Sequence, residues 1–225
     1  MFPIRDTIPS RSLPVVNWLI IACNVVVFFF EASLPPEQLD RVIHILGMIP
    51  RHLVRNPIPE ALTILTSMFL HGGWFHVISN MWALYIFGDN VEDRIGHFRY
   101  LGFYLLCGVI AAGAQVLAAT NSPFPMVGAS GAIAGILGAY VISFPRARVL
   151  TLIPIFFFPW FIEIPALFYL GLWFLLQLRQ GLFALTMVDS IGAYGGVAWW
   201  AHIGGFVAGL ILVKRFERRR IDYHW

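Results

Sequence analysis

Four polar side chains lie within or at the ends of strongly apolar segments, and their types suit acyl-transfer chemistry. Ser130 and His202 are surrounded by small and aliphatic residues, and His76 and Asn80 begin another apolar segment. A neutral imidazole can take the proton of a serine hydroxyl as its oxygen attacks a carbonyl carbon. The oxyanion then needs hydrogen-bond donors, and His76 and Asn80, four residues apart, share one helical face. The backbone N–H of Ser130 at a helix N-terminus is a further candidate donor.

The segments that carry these residues are suited to a membrane. Of the 225 residues, 59% are hydrophobic and 12% are charged, whereas soluble domains carry about 25% charged residues. About 20 apolar residues cross a hydrocarbon core of about 30 Å. We predict an all-α polytopic membrane protein with a single domain over residues 1–225, its first apolar segment retained rather than cleaved. The six predicted spans are residues 13–30, 74–87, 98–119, 127–144, 164–178 and 195–213.

Two regions between the predicted spans are apolar but are not predicted to cross the membrane as a whole. The loop of about 30 residues after the first span contains apolar patches, so we expect it to lie on or dip into the membrane surface. Residues 149–178 are apolar almost throughout, but Pro154, Pro159 and Pro165 interrupt them, and proline breaks a helix interior. We therefore predict a surface segment before Glu163, followed by the fifth span.

The basic residues predict orientation and exclude one class of partner. An even number of spans places both termini on one side, and that side collects most of the basic residues, including the C-terminal cluster at 214–215 and 218–220. Cytoplasmic loops carry the excess of basic residues, so both termini are predicted to be cytoplasmic. The basic residues flank apolar segments instead of forming a stripe, which excludes nucleic acid as a partner. Cys23 and Cys107 lie within apolar segments and imply no disulfide or metal framework.

Small residues repeat every four positions beside both Ser130 and His202. Spans four and six run in the same direction, so at about 1.5 Å per residue the two side chains reach a similar depth in the outer half of the bilayer. Rows of small residues let membrane helices pack closely, and two facing rows would bring Ser130 and His202 within hydrogen-bond reach. The rows are Gly131, Gly135 and Ala139 in span four, and Ala201, Gly205 and Gly209 in span six.

Each of these features also has a purely structural explanation. Ser130 alone suits helix packing, His202 alone could bond a neighbouring helix, and His76 with Asn80 could be polar residues at the start of a span. Only their combination favours catalysis. Two other functions stay open: a catalytically inactive protein that binds transmembrane helices, and a small transporter or channel. A transporter predicts further acidic residues or broken helices at mid-depth, and none is obvious outside the proline-rich segment.

An ordered set of motifs resembles the rhomboid family of intramembrane serine proteases. Gly128-Ala129-Ser130-Gly131 is similar to the family's GxSG motif, and Ala201-His202 begins an AHxxGxxxG-like motif in the last span. His76-x-x-x-Asn80 resembles the family's HxxxN element, with a preceding histidine. The remaining matching positions are His71 before that element, Gly88, Glu92 and Gly96 after span two, and Gly205 and Gly209 in the last motif.

This resemblance implies a six-helix bundle whose short fourth helix carries the nucleophile. It implies that Ser130 attacks and that His202 acts first as base and then as acid. His76, Asn80 and backbone groups near Ser130, including Gly128, would stabilise the oxyanion. The resemblance also implies single-pass membrane proteins as substrates, membrane lipid as a partner, no metal or organic cofactor, a bacterial inner membrane location, and lateral access gated by the fifth span and the loop at 179–194.

The chain departs from the family pattern at two points. A Trp-Arg pair common in the first loop is replaced by Leu62 and Thr63, and an aromatic residue that some members pack against the histidine ring is replaced by Ala134. The second change leaves the orientation of the His202 ring without a named cause. A third catalytic acid is not evident, since Glu163 and Asp189 are interpreted as loop or interface charges. Glu92 is expected to tie loop backbone or nearby arginines at the inner end of span two.

Overall fold

The computed structural model describes residues 1–155, 158–186 and 197–217, and most of these residues are helical. A 3-10 turn at Ser67–Phe69 and a π-helical segment at Leu84–Gly88 interrupt the helical regions. The helices are α1 (Val15–Ser33), α2 (Pro36–Leu46), α3 (Pro50–Arg55), α4 (Pro57–Glu60), α5 (Thr63–Thr66), α6 (Trp74–Ala83), α7 (Asp89–Ile95), α8 (His97–Ala118), α9 (Ser130–Ser143), α10 (Ala166–Thr186) and α11 (Trp199–Phe216); the strands are β1 (Phe2–Asp6), β2 (Arg148–Ile155) and β3 (Phe158–Pro165).

Several helices are suited to crossing a bilayer. Within the described ranges, α1, α8 and α10 are each long and apolar enough to cross, and the bent pair Pro57–Phe69 and Trp74–Ile95, with an angle of 82°, would add a fourth span. The helix α9 is apolar but has only 14 residues, about 21 Å at 1.5 Å per residue. The protein is therefore an integral membrane protein with a mainly helical bundle. The count of six spans and the side of the termini stay predictions.

The first long helix is held by a carboxylate from another element. The buried carboxylate of Glu92 accepts hydrogen bonds from the backbone N–H groups of Val16 at 3.0 Å and Asn17 at 2.7 Å. These first-turn groups of α1 have no partner within their own helix, so Glu92 caps α1 from α7. The ring of His97 also contacts Glu92. Glu92 thus holds backbone N–H groups of the first turn of α1, and Arg94, a partner considered from the sequence, pairs with Glu217 at 3.2 Å.

The π-helical segment between α6 and α7 is accommodated by the same region of α1. The side-chain amide of Asn17 donates to the carbonyl oxygen of Leu84 at 3.0 Å, and the Tyr100 hydroxyl donates to Asn17 at 2.8 Å. A Cβ on Gly88 would lie 2.7 Å from the Tyr100 hydroxyl oxygen. The glycine before Glu92 therefore leaves space for this buried polar pair.

A three-stranded antiparallel sheet, in the order β1-β2-β3, replaces the surface segment predicted before Glu163. The all-α prediction describes the bundle but omitted this sheet. Pro154 pairs with Pro159 one residue before the paired strand ends at Ile155 and Phe158, and a proline there removes a backbone donor only near the end of the ladder. The other hairpin positions are rich in the β-branched and aromatic residues that favour strands.

The sheet is joined to the bundle through β1. The carboxylate of Asp6 accepts hydrogen bonds from the Tyr140 hydroxyl of α9 and from the side-chain amide of Asn90 in α7, the latter at 2.9 Å. The polar contacts of Asp6 therefore connect the N-terminal strand to two helices of the core.

The limits of the fifth predicted span need correction. Residues 164 and 165 belong to β3, and α10 continues to Thr186 instead of ending at residue 178. The prediction ended the span too early because it assigned Arg179 to a loop. In the structure Arg179 is exposed on helix α10, where its long side chain can reach polar surroundings. Residues 179–186 are thus helical. Three further predictions concern residues outside the described ranges. They are the rest of the gating loop with Asp189, the start of the last span at residue 195, and the arginines at 218–220.

Candidate active site

The site is built at a close seam between the parallel helices α9 and α11. Every residue of α9 from Gly131 to Tyr140 is buried, and α9 packs mainly against α11 and α8. A Cβ on Gly205 would overlap the carbonyl oxygen of Gly131, and one on Gly209 would overlap that of Gly135. The small-residue rows in the sequence therefore face each other across this seam. Glycine is required there because the two backbones are in direct contact.

This seam brings Ser130 and His202 together. Ser130 is the first residue of α9 and His202 lies in the first turn of α11. The distance between Ser130 Oγ and His202 Nε2 is 2.7 Å, a normal hydrogen-bond length. His202 is 8% exposed, so its imidazole is enclosed by protein and its second nitrogen also requires a partner.

That partner is Gln177, which the sequence analysis did not single out. The side-chain oxygen of Gln177, in α10, lies 2.7 Å from His202 Nδ1. The rings of Trp173 and Trp199 also contact the imidazole, with ring centroids 5.9 Å and 6.2 Å from it. The signal was present in the sequence, because a glutamine within a predicted apolar span is costly to bury without a partner.

His76 and Asn80 lie close to Gly128, two residues before Ser130. The backbone N–H of Gly72 donates to His76 Nδ1 at 3.3 Å, which leaves the proton on Nε2. A Cβ on Gly128 would lie 2.7 Å from His76 Nε2 and 3.7 Å from Asn80 Nδ2. Gly128 also has a φ of +123°, a backbone conformation in the region that favours glycine. Both donors therefore converge on the backbone just before Ser130.

Asn80 supplies a donor that is not used elsewhere. Its side-chain Nδ2 is buried and has no hydrogen-bond partner within the described part of the chain. A buried donor without a partner costs roughly 1–3 kcal/mol. Together with the first N–H groups of α9, which have no partner in their own helix, Asn80 Nδ2 and His76 Nε2 form a set of donors suited to an oxyanion.

His71 lies behind this donor set. Its ring centroid is 5.1 Å from that of His76 and 6.4 Å from that of Phe28. The carboxylate of Glu31, buried at the end of α1, accepts the backbone N–H of His71 at 3.1 Å. Glu31 was another residue that the sequence analysis missed. Its contact fixes the turn that leads into α6 and hence the position of His76.

The remaining residues predicted for the site contribute to packing and helix capping. Gly131, Gly205 and Gly209 form the seam, and Glu92 caps α1. In the described ranges, no group of three His, Cys, Asp or Glu side chains is arranged to hold a metal ion. Fold and site together define a class of protein: a helical integral membrane protein with a hydrogen-bonded serine–histidine pair and N–H donors close to it.

Comparison with known proteins identifies the family. The Rhomboid domain model matches residues 59–218. The mitochondrial presenilin-associated rhomboid-like protein of Homo sapiens is 30% identical over 199 residues, which cover 85% of this chain and 45% of that protein. Rhomboid protease GluP of Bacillus subtilis (strain 168) is 30% identical over 205 residues, 90% of this chain and 36% of that protein. Rhomboid-like protease 5 of Toxoplasma gondii is 32% identical over 210 residues, 87% and 21% respectively.

The chain belongs to the rhomboid family. It spans less than half the length of these three relatives.

Proposed function

We propose that this protein is an intramembrane serine endopeptidase that cleaves single-pass membrane proteins in or near their transmembrane segments. The observation that carries the proposal is the 2.7 Å contact between Ser130 Oγ and His202 Nε2. Membership of the rhomboid family, in which two of the relatives are named as proteases, supports the same function.

In the proposed reaction, Ser130 attacks the carbonyl carbon of the scissile peptide while His202 Nε2 takes the hydroxyl proton. The resulting oxyanion is stabilised by Asn80 Nδ2, His76 Nε2 and backbone N–H groups at the start of α9. His202 then gives its proton to the leaving amine, which leaves an acyl-enzyme on Ser130. A water molecule, deprotonated by His202, hydrolyses this ester and restores the serine.

Substrate class and location follow from the same reasoning. The candidate site lies within the helical bundle and not in a separate soluble domain, so a protein substrate presents its peptide from the membrane. With both termini cytoplasmic, as the arginine distribution predicts, Ser130 lies toward the outer side. We place the protein in a bacterial inner membrane, and cell fractionation tests that location.

The test is labelling with a fluorophosphonate probe in detergent, combined with cleavage of a panel of single-pass substrates. Labelling at Ser130 that is lost in Ser130→Ala and His202→Ala supports the protease. Folded protein that neither labels nor cuts any substrate supports instead an inactive binder of transmembrane helices. Solute flux in proteoliposomes that persists in Ser130→Ala supports a transporter.

A further inference from the structure

We infer that Gln177 is a positioning residue of the candidate active site: its side-chain oxygen holds His202 in the tautomer whose Nε2 can accept the proton of Ser130. This inference rests on the proposed function and adds a residue from a third helix to the Ser130–His202 pair. The contact that carries it is the 2.7 Å distance between Gln177 Oε1 and His202 Nδ1.

The two nitrogens of the His202 imidazole must have different roles. A neutral histidine has one N–H donor and one acceptor nitrogen. For Ser130 to be deprotonated, its O–H must donate to Nε2, so the ring proton must be on Nδ1. An acceptor opposite Nδ1 stabilises that tautomer and leaves Nε2 as the acceptor. Gln177 presents an oxygen at this position. An apolar side chain would leave a buried N–H without a partner and the two tautomers closer in energy.

The position of Gln177 is set by a row of residues along one face of α10. Trp173, Gln177 and Gly181 are spaced by four and therefore lie on the same face. The Trp173 ring lies against both His202 and Phe206 of α11, with centroid distances of 5.9 Å and 6.0 Å. A Cβ on Gly181 would lie 3.2 Å from the side chain of Ile203, so α10 approaches α11 closely one turn beyond Gln177.

This row also answers the question left by Ala134. The sequence lacks an aromatic residue one turn after Ser130, so α9 offers the imidazole no ring to pack against. In the structure, α10 provides both a ring, from Trp173, and a hydrogen-bond acceptor, from Gln177. The Nδ1 side of His202 is therefore held by α10, whereas α9 contributes the contact of Ser130 to Nε2.

Two substitutions separate a positioning role from a packing role. Gln177→Leu keeps most of the volume and removes the acceptor, whereas Gln177→Glu keeps an acceptor oxygen on a side chain of the same length. Gln180→Leu is the matched control, because Gln180 is on the same helix without a hydrogen bond to His202 among the described residues. The measurements are kcat and KM for a transmembrane substrate, the fluorophosphonate labelling rate at Ser130, and Tm in detergent.

We expect Gln177→Leu to lower kcat by roughly 10- to 100-fold, the size of the effect of leaving one buried donor unpaired, with little change in KM. Gln177→Glu should recover most of that loss, and Gln180→Leu should behave as wild type. Wild-type kcat in Gln177→Leu would overturn the inference. So would equal losses in Gln177→Leu and Gln177→Glu, since the loss would then not depend on an acceptor oxygen at this position.

A second readout does not depend on activity. In protein labelled with ¹⁵N-histidine, the His202 signal, assigned by its loss in His202→Ala, should show the Nδ1–H tautomer in wild type and in Gln177→Glu. In Gln177→Leu it should show a mixture of tautomers. If wild-type protein shows this tautomer but Ser130 never labels, the proposed protease function fails while the role of Gln177 in orienting the ring stands. An Nε2–H tautomer in wild type would refute that role directly.

Discussion

A single methyl group added at the α9–α11 seam should separate the serine from the histidine. In Gly205→Ala, the new Cβ would lie 3.0 Å from the carbonyl carbon of Gly131 and would overlap its oxygen. Neither atom can move away alone, because both belong to helix backbone. We therefore expect α11 to be displaced from α9 by about 1 Å, at a cost of roughly 1–3 kcal/mol.

His202 lies one turn before Gly205 on the same helix, so it moves with it. A displacement of about 1 Å would extend the contact between Ser130 Oγ and His202 Nε2 from 2.7 Å beyond hydrogen-bond distance. Misplacement of this size costs roughly 10²-fold in rate. The labelling rate of Ser130 and the cleavage of a transmembrane substrate should both fall by about that factor, in protein that remains folded.

Gly171→Ala is the matched control, because a Cβ there meets no atom within 4 Å. Both variants gain the same helix propensity, roughly 0.5–1 kcal/mol, so the difference between them isolates the seam. If Gly205→Ala labels within twofold of Gly171→Ala, the claim that backbone contact sets the catalytic distance is wrong.

Three further outcomes are expected. Asn80→Ala should lower kcat by roughly 10²–10³-fold with unchanged folding; unchanged turnover would contradict its role as oxyanion donor. Glu92→Gln leaves one buried N–H of α1 without an acceptor, so Tm in detergent should fall, by an amount equivalent to about 1–3 kcal/mol, while the labelling rate per folded molecule holds. Burial raises the pKa of Asp6 from 3.8 to about 6, so the folded state binds this proton more tightly and stability falls as pH rises from about 4 to about 6. Asp6→Asn, which keeps an oxygen for Tyr140, should raise Tm at pH 8 and weaken the dependence of Tm on pH between about 4 and about 6. A pH profile of Tm parallel to that of wild type would contradict this role of Asp6.

The helical core and the candidate site were accessible from the sequence because both depend on spacing. Glycine rows at intervals of four predict the face that each helix presents, and a serine or histidine next to such a row shares its position. The proximity of Ser130 and His202 thus follows from the two small-residue rows and from the assumption that spans four and six run in the same direction.

The sheet and Gln177 were not accessible in the same way. The hairpin at 148–165 is apolar on both faces, so it shows no alternation that would distinguish a strand from a surface segment. The importance of Gln177 depends on the rotation of α10 against α11, which is set by the close approach at Gly181. A single glycine and a single amide give no periodic pattern, and only the packed structure places them opposite His202.

The contact between α10 and His202 has a consequence for the order of events in catalysis. A hydrogen bond of 2.7 Å is lost once the donor and acceptor separate by about 1 Å more, whereas an intact substrate helix with its side chains is about 10 Å wide. A space between α10 and α11 wide enough for such a helix would release the imidazole from Gln177. Peptide cleavage would then be slowed until α10 returned, unless the substrate arrived already unwound.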